Sequence, residues 1–371
     1  MRRDQHAQMV AIDEAISTLY GYSPKPSQRE ALHHLIYLRK DLVLIAGTGF
    51  GKSMMFQAVS VLLRKSVTIV LLPLNQIGIE QSDYIRRIGG NPCFLNSDTI
   101  STKLLDEVKK GRYSHVLISP ELAIGNEEFR RVVSEPSFNQ KVALVVVDET
   151  HLVHNWAGNF RPAYSRLNVL RDWLGSQIPW LACSATMDSK TLNSLGTGIN
   201  FEPDVKVQRM SIDCPELLFR LGWIPKKAGF KALQFLFVAD EKSPDTIYHP
   251  LSTIPKTIVF FDSREDAHAA AEECCRWLLE VDSRCSLREV TQVLKVFHRN
   301  TADADKKTIL DEFDKKKDQR HKSESYSLLR HSEWMSIFGT FVGPFNIASP
   351  SVSSLHHKEG GEHVGIRWTE K

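Results

Sequence analysis

The stretch Ala46-Gly47-Thr48-Gly49-Phe50-Gly51-Lys52-Ser53 decides the fold class of this 371-residue chain. Residues 41–45 before it form an apolar run typical of a buried strand, and residues 54–65 after it have the apolar spacing of a helix. This order is typical of a phosphate-binding loop, because glycines let successive backbone N–H groups turn toward one anion. We expect Lys52 to contact the outer phosphates of a nucleotide and the Ser53 hydroxyl to ligate Mg²⁺. The alternative is an ordinary glycine-rich turn.

Composition sets broad limits on the class of protein. The chain is 42% hydrophobic and 25% charged, which indicates a globular protein, and its length suggests about two domains. A net charge of +3 neither requires nor excludes a nucleic-acid partner. The sequence has no apolar run of membrane-spanning length and no signal-type segment, so we expect a soluble intracellular protein without a membrane partner. Its six cysteines lack metal-site spacing and are expected to be reduced.

Further apolar runs predict the sheet to which the loop belongs. Strands are expected at four places, separated by segments long enough for helices: 66–72, 114–119, 143–148 and 180–185. Helices are expected upstream of the loop at 7–19 and 28–38. Alternating strands and helices predict an α/β protein with a parallel sheet covered on both faces, whose chemistry lies at the carboxyl ends of the strands.

Two carboxylates follow the most apolar of these runs. Asp148 and Glu149 come directly after Leu144-Val145-Val146-Val147. One can hold Mg²⁺ through its water shell, and the other can polarise a water that attacks a γ-phosphate. The alternative is that both cap the next helix.

The segment upstream of the loop is a candidate for binding the base. Tyr22, a Pro-rich turn and Gln28 precede the loop, and the Gln28 amide offers both a donor and an acceptor to the edge of an adenine. The same residues would also begin an ordinary helix.

Together these motifs resemble the first motor domain of a superfamily 2 DExH helicase, and within that superfamily the RecQ family. The resemblance covers about residues 15–314 and implies a RecA-like parallel-sheet motor domain. The residues that carry it are Gln28, Gly49-Phe50-Gly51-Lys52-Ser53, Pro73-Leu74, Ser119-Pro120-Glu121, Asp148-Glu149-Thr150-His151 and Ser184-Ala185-Thr186.

The resemblance also implies a role for each site residue. Tyr22 would stack on adenine and Gln28 would recognise it, with Lys25 where the family usually has arginine. The ATP phosphates would be bound by Gly47, Thr48, Gly49, Phe50, Gly51, Lys52 and Ser53. The metal ligands would be Ser53 and Asp148, and the catalytic residues Lys52, Asp148, Glu149 and His151. His151 with Ser184 and Thr186 would couple hydrolysis to DNA.

An aromatic-rich loop after the acidic pair is the feature that most favours RecQ. Trp156, Phe160 and Arg161 fall at the family's spacings. Aromatic faces and a guanidinium can stack on unpaired bases, so these three residues are expected to bind DNA. The alternative is that Trp156 and Phe160 form a helical core pair.

The resemblance divides the chain into three parts: a helicase ATP-binding domain (1–210), a partial second RecA-like domain (211–318) and a low-order tail (319–371). In the second part we expect a strand at 256–261 and a helix at 265–279, with the 296–299 and 306–313 segments continuing the domain. The family's late Gly-Arg-x-Gly-Arg segment does not occur in these 371 residues, so the second domain is expected to be incomplete. The tail could instead be a basic nucleic-acid-binding arm.

The function implied by the resemblance is that of an ATP-dependent 3′-5′ DNA helicase using ATP and Mg²⁺. Its partner would be single-stranded or tailed duplex DNA, and its location the nucleus. Two alternatives stay open at this point. One is a module that binds ATP and nucleic acid with little turnover, and the other is an RNA-directed ATPase.

Overall fold

A computed structural model of the protein describes residues 4–73, 75–151, 162–212, 218–219, 226–240, 247–248, 251, 254, 257–282, 284–298, 300–314, 336–340 and 367–368. Contacts between Cα atoms separate two compact units, Met1–Cys214 and Pro215–Lys371.

A seven-stranded parallel sheet forms the centre of the first unit. Its strands are β1 (Leu42–Ile45), β2 (Val67–Leu71), β3 (Pro92–Leu95), β4 (His115–Ile118), β5 (Val142–Val147), β6 (Trp180–Ser184) and β7 (Lys206–Arg209). Their spatial order is β3-β4-β2-β5-β6-β1-β7, and every neighbouring pair is parallel. The sheet confirms the predicted α/β class.

Helices connect the strands of this sheet. They are α1 (Gln5–Tyr20), α2 (Pro26–Ile36), α3 (Lys52–Gln57), α4 (Val59–Leu62), α5 (Asn75–Arg87), α6 (Thr102–Lys109), α7 (Pro120–Gly125), α8 (Glu127–Val133), α9 (Pro136–Asn139), α10 (Leu167–Leu174) and α11 (Ser189–Gly198). A 3₁₀ helix, Pro162–Arg166, precedes α10.

Side chains alternate between two apolar cores, one on each face of the sheet. On β5, Leu144 and Val146 point into the core that contains Met54, Met55 and Phe56 of α3. Val145 and Val147 point into the opposite core, with α6–α11. Because successive side chains of a strand point to opposite faces, residue 148 continues on the α3 side. The alternation therefore directs the acidic turn toward the phosphate loop.

The structure contains all five strands predicted for this unit and two that the sequence did not predict. Short β3 begins with a proline, and β7 is a polar edge strand whose Val207 is 37% exposed. The helix predicted at 54–65 is present as α3 and α4. Ala58 between them keeps right-handed helical dihedrals and donates its N–H to the Met54 carbonyl, so the two helices are nearly continuous.

The second unit is built around a three-stranded parallel sheet. The described strands of the whole unit are β8 (Leu218–Phe219), β9 (Val238–Asp240), β10 (Ile247–Tyr248), β11 (Thr257–Phe260), β12 (Leu294–His298), β13 (Ser336–Thr340) and β14 (Arg367–Trp368). The parallel sheet has the order β11-β13-β12, while β9–β10 and β8–β14 are antiparallel pairs.

The described helices of the second unit cover a separate apolar core. They are α12 (Arg264–Val281), α13 (Leu287–Val293), α14 (Asp303–Asp314) and the 3₁₀ segment Lys226–Phe237, which is interrupted at Gly229. Phe237, Val259 and Cys274 are among the buried residues of this core. The predicted strand at 256–261 and helix at 265–279 are both present, as β11 and α12.

Two sequence expectations concern the chain as a whole. Among the residues that the structure describes, no helix is both long and apolar enough to cross a bilayer. Five cysteines are free thiols: Cys93, Cys183, Cys274, Cys275 and Cys285. Cys214 lies outside the described residues.

Candidate active site

The phosphate loop lies at the carboxyl edge of the seven-stranded sheet, where β1 ends. The Ala46 N–H donates to the Ser184 carbonyl at 3.1 Å, which joins the loop to the end of neighbouring β6. Within the loop, the Phe50 N–H donates to the Gly47 carbonyl at 3.3 Å. The carboxyl edge of a parallel sheet is where ligands of such proteins bind.

Two glycines give the loop its shape. Gly49 and Gly51 have φ values of 81° and 92°, in the left-handed region that side chains disfavour. A Cβ on Gly51 would lie 2.6 Å from Gln28 Nε2. The left-handed backbone therefore favours glycine at 51, and a side chain there would also displace the Gln28 amide.

Gln28 joins helix α2 to the phosphate loop. Its Nε2 donates to the Phe50 carbonyl at 2.6 Å, its Oε1 accepts from the Lys25 N–H at 2.8 Å, and the residue is 3% exposed. The amide expected to recognise adenine therefore spans α2 and the loop in this structure. Lys25 also lies over the Phe50 ring, with its Nζ 5.5 Å from the centroid.

Tyr22 lies near the same loop and is 49% exposed. Its hydroxyl contacts Met54 Sδ at 4.0 Å, and its ring is tilted against that of Tyr20 with 5.7 Å between centroids. An exposed ring beside the phosphate loop is available to stack on a planar base.

Lys52 begins α3 and folds over the loop. Its Nζ donates to the Ala46 carbonyl at 2.8 Å and to the Gly47 carbonyl at 3.2 Å. Both acceptors are neutral, so the ammonium charge sits in the loop where an anionic phosphate would lie.

Asp148 is buried on the α3 side of the sheet, directly after β5. Its Oδ1 accepts from the Glu149 N–H at 2.9 Å and from the thiol of Cys183 at 3.3 Å. Burial raises the pKa of Asp148 above its usual range, and the nearby Glu149 charge raises it further, while Cys183, the Glu149 N–H and Lys52 oppose the shift. A bound cation would reverse this balance.

The turn after Asp148 is held in an unusual backbone conformation. Glu149 has a φ of 52°, which is strained for a non-glycine residue and typical of functional turns. Buried Thr150 stabilises it: its Oγ1 donates to the Val147 carbonyl at 2.6 Å and contacts the Cys183 carbonyl at 3.1 Å. The backbone N–H of Thr150 also donates to Cys183 O at 3.0 Å.

His151 connects this turn to the end of β6. Ser184 Oγ donates to the Thr186 carbonyl at 2.7 Å, and His151 Nδ1 lies 2.8 Å from Ser184 Oγ and 3.2 Å from Glu149 Oε2. With the Ser184 proton directed to Thr186, the His151 tautomer that carries its proton on Nδ1 would donate it toward Ser184 and Glu149. The three residues named for coupling therefore form one hydrogen-bonded group with the acidic turn.

Trp156, Phe160 and Arg161 lie outside the described residues, so their assignment to DNA stays a prediction.

Two contacts of the site were not found from the sequence: the Cys183 thiol on Asp148 and the Thr150 hydroxyl across the turn. The register pairs Val147 with Ala182, so the next residues, Asp148 and Cys183, must be neighbours. Strand pairing order, which the sequence pattern does not specify, is the information that was missing.

The residues present fit ATP and Mg²⁺. The loop offers backbone N–H groups and an ammonium whose described hydrogen bonds go to two backbone carbonyls, which leaves its charge available to a phosphate. The Ser53 hydroxyl and the Asp148 carboxylate are hard oxygen donors, which Mg²⁺ prefers.

Comparison with known proteins agrees with this geometry. Residues 25–195 match the DEAD/DEAH box helicase family. This match covers somewhat less than half of the chain.

Among the curated relatives, the chain is similar to proteins named as RecQ helicases. It is 30% identical over 171 residues to the Bacillus subtilis ATP-dependent DNA helicase RecQ, covering 45% of this chain and 28% of that protein. It is 29% identical over 208 residues to the mouse bifunctional 3'-5' exonuclease/ATP-dependent helicase WRN, covering 56% of this chain and 14% of that protein. The chain thus spans well under half the length of these relatives.

Solved helicase structures share the fold. The DUF1998 helicase MrfA bound to DNA and AMPPNP superposes with a TM-score of 0.60 at 14% identity, over 91% of this chain and 44% of that one. S. cerevisiae Dbp5 bound to RNA and ADP BeF3 gives a TM-score of 0.59 at 13% identity, over 90% of this chain and 73% of that one. At these identities the likeness concerns the fold alone.

Proposed function

We propose that this chain is the motor part of an ATP-dependent DNA helicase of RecQ type, which couples ATP hydrolysis to 3′-5′ translocation on single-stranded DNA. One observation carries the proposal: the phosphate loop and the acidic turn meet at one edge of the sheet and are tied together through Ser184. The Ala46 N–H and His151 Nδ1 bond respectively to the backbone and the side chain of Ser184.

Each side chain of the site has a role in this proposal. Lys52 leaves its carbonyl partners and binds the outer phosphates, while Ser53 and Asp148 hold Mg²⁺, which when bound neutralises charge on those phosphates. Glu149, beside His151, takes the proton of the attacking water. Tyr22 and Gln28 bind the base.

Coupling to DNA runs through His151, Ser184 and Thr186 in this proposal. A change at Glu149 during hydrolysis alters the His151 contact at 3.2 Å, and through Ser184 the backbone of Thr186. Trp156, Phe160 and Arg161 bind the strand by stacking and charge.

The decisive test is a DNA-stimulated ATPase assay on the 371-residue chain. Wild type is expected to bind a fluorescent ATP analogue with Mg²⁺ saturably and to release phosphate faster when single-stranded DNA is added. Lys52→Ala removes the ammonium that meets the phosphates, so binding should weaken by a factor of about 100 or more. The matched control is Lys103→Ala, at an exposed lysine of α6.

The outcomes separate the candidate functions. Saturable binding without DNA-stimulated turnover would favour the ATP- and nucleic-acid-binding module. Absence of saturable binding by folded wild type would contradict the proposal.

The choice between DNA and RNA rests on the sequence relatives, which are named as DNA helicases. It is tested by unwinding of a 3′-tailed DNA duplex, a 5′-tailed DNA duplex and a 3′-tailed RNA duplex of the same sequence. Only the first should unwind. Unwinding of the RNA duplex alone would support an RNA-directed ATPase instead.

A further inference from the structure

A row of polar side chains leads from the phosphate loop to the end of helix α1. Gln81 Nε2 donates to Ser53 Oγ at 3.4 Å, and Gln57 Nε2 donates to Gln81 Oε1 at 2.6 Å. The Tyr20 hydroxyl then donates to Gln57 Oε1 at 3.4 Å. We call Ser53, Gln81, Gln57 and Tyr20 the Ser53–Tyr20 relay. It joins α3, which supplies Ser53 and Gln57, to α5 and α1.

Solvation alone explains only part of this relay. Gln57 is 3% exposed, so its amide needs protein partners because an unpaired buried amide is costly. Gln81 is only half-buried and can hydrogen-bond to water. Gln81 therefore does not need Ser53 as a hydrogen-bond partner. The contact instead constrains the Ser53 hydroxyl.

Every bond of the relay points toward Ser53, so the Ser53 oxygen is the acceptor. A serine oxygen that ligates a cation gives a lone pair to the metal, and its O–H then becomes a stronger donor that needs an acceptor. A half turn of a glutamine amide exchanges its N and O with almost no change of shape. The relay can therefore run in the opposite direction with the same atoms in place.

The short Gln57–Gln81 bond makes the two amides turn together. If only one turned, two NH₂ groups or two carbonyl oxygens would face each other at 2.6 Å. After a joint turn, Ser53 donates to Gln81, Gln81 to Gln57, and Gln57 to the Tyr20 oxygen.

Tyr20 can end the relay in either direction. Its ring contacts those of Tyr22 and Tyr84, with centroids 5.7 and 6.3 Å away. Burial, followed by the charges of Tyr84 and Tyr22, raises the pKa of Tyr20 far above its usual range. The group therefore stays a neutral phenol, which can donate or accept.

We propose that Gln57 and Gln81 are positioning residues that support metal ligation by Ser53, and that the relay reverses its direction when Ser53 binds Mg²⁺. This inference rests on the proposed function, because it needs Ser53 to be a ligand of the metal. The relay then links the metal to the aromatic residues that flank the base-binding Tyr22.

The test compares nucleotide binding with and without metal. The probe is a fluorescent non-hydrolysable ATP analogue, titrated in Mg²⁺ and in EDTA. Gln81→Leu removes both the donor and the acceptor, so the Kd in Mg²⁺ should rise about fivefold, as for loss of one hydrogen bond. The Kd in EDTA should not change. Gln81→Glu keeps an acceptor for the Ser53 hydroxyl and should bind in Mg²⁺ like wild type.

A double-mutant cycle separates positioning from a structural role. In a Ser53→Ala background, Gln81→Leu should have no further effect on the Kd in Mg²⁺, because the group it acts through is gone. Gln140→Leu, at an exposed glutamine outside the relay, is the matched control. Thermal unfolding of each variant checks that it is folded.

Failure of the relay and failure of the proposed function give different results. Equal weakening in Mg²⁺ and EDTA, a full effect in the Ser53→Ala background, or no effect of Gln81→Leu would overturn the relay alone. Wild type without any saturable binding would overturn both proposals.

Discussion

The seven parallel strands begin at one edge of the sheet, the amino edge, and end at the other, the carboxyl edge. These two edges hold polar groups of different kinds. At the amino edge, Asp41 precedes β1 and accepts from Arg171 Nη2 at 2.6 Å and from the Trp180 N–H at 2.8 Å. At the carboxyl edge, buried Asp148 accepts only a backbone N–H and a weak thiol donor among its described hydrogen bonds. One carboxylate has a guanidinium partner in direct contact, and the other does not.

This difference separates a carboxylate that the fold pairs with a cation from one that the proposed function places beside a metal ion. The Asp41–Arg171 pair joins β1, α10 and β6, and it is 15% and 11% exposed at its two side chains. Asp148 is desolvated without a comparable partner, and its pKa is raised. The first arrangement stabilises the fold, and the second costs stability that a bound cation would restore.

The largest expected effect is at the amino edge. Asp41→Ala should lower the free energy of unfolding by about 4 kcal/mol, because it leaves Arg171 as an unpaired, mostly buried charge. Chemical denaturation followed by circular dichroism measures it. The matched control is Asp83→Ala, which breaks a surface pair with Arg86 whose side chains are 55% and 57% exposed. That control should cost less than about 0.5 kcal/mol.

An equal loss of stability in both variants would contradict this prediction, since it would show that the Asp41 contacts contribute no more than an exposed ion pair.

The next effect concerns pH at the same edge. His115 begins β4, and its Nε2 contacts the Phe56 carbonyl at 3.1 Å and its Nδ1 the Ser114 hydroxyl at 2.9 Å. Burial lowers the pKa of His115 from 6.5 to about 4, against the opposing backbone hydrogen bonds. The unfolded chain therefore binds the proton more readily than the folded one. The stability that depends on neutral His115 is fully present above pH 6.5 and is lost as the pH falls toward 4.

His115→Gln should remove this pH dependence. At about 1.4 kcal/mol for each unit by which the pKa differs between the folded and the unfolded chain, the full contribution of His115 is about 3 kcal/mol. Burial also lowers the pKa of His33 and His34, so these two histidines contribute to the wild-type profile as well. The difference between wild type and His115→Gln, measured from pH 7 to pH 4, isolates His115. Exposed His6→Gln is the control, and identical slopes in wild type and His115→Gln would contradict the prediction.

Much of the first unit could be predicted because its central strands are buried on both faces. Such strands read as continuous apolar runs, as in Val142–Val147, and they place the next polar residues at the carboxyl edge. The same rule fails at the margins of the sheet. Lys206–Arg209 has three polar residues because an edge strand is half solvated, and its pattern looks like a loop.

The candidate site could be predicted only as far as local sequence determines it. The glycines, Lys52, Ser53 and Asp148 are recognisable from their own neighbours along the chain. The contacts from Gln81 to Ser53 and from Cys183 to Asp148 join residues 28 and 35 positions apart. They depend on which helix and strand lie side by side, and a single sequence does not state this.

The smallest expected effect on stability is at the carboxyl edge, where the substitution should stabilise the protein and not destabilise it. Asp148→Asn keeps the acceptor for the Glu149 N–H but removes a charge that the fold desolvates. At neutral pH the variant should be more stable than wild type by about 1 kcal/mol, measured by thermal unfolding without nucleotide. Exposed Asp172→Asn should leave the stability unchanged.

The pH dependence identifies the cause of this effect. Because the folded pKa of Asp148 is raised from 3.8, the folded protein binds the proton more readily than the unfolded chain. The contribution of Asp148 to stability is full below pH 3.8 and is lost as the pH rises through the folded pKa. The advantage of Asp148→Asn should therefore vanish toward pH 3.8 and be greatest at neutral pH.

Nucleotide and metal should then reverse the order of the two proteins. Wild type should gain thermal stability when the ATP analogue and Mg²⁺ are added together, because the cation satisfies Asp148. Asp148→Asn should gain much less and should not hydrolyse ATP. If the variant is instead less stable than wild type at neutral pH, the Asp148 carboxylate is already satisfied by the fold. The two edges of the sheet would then not differ in the way proposed here.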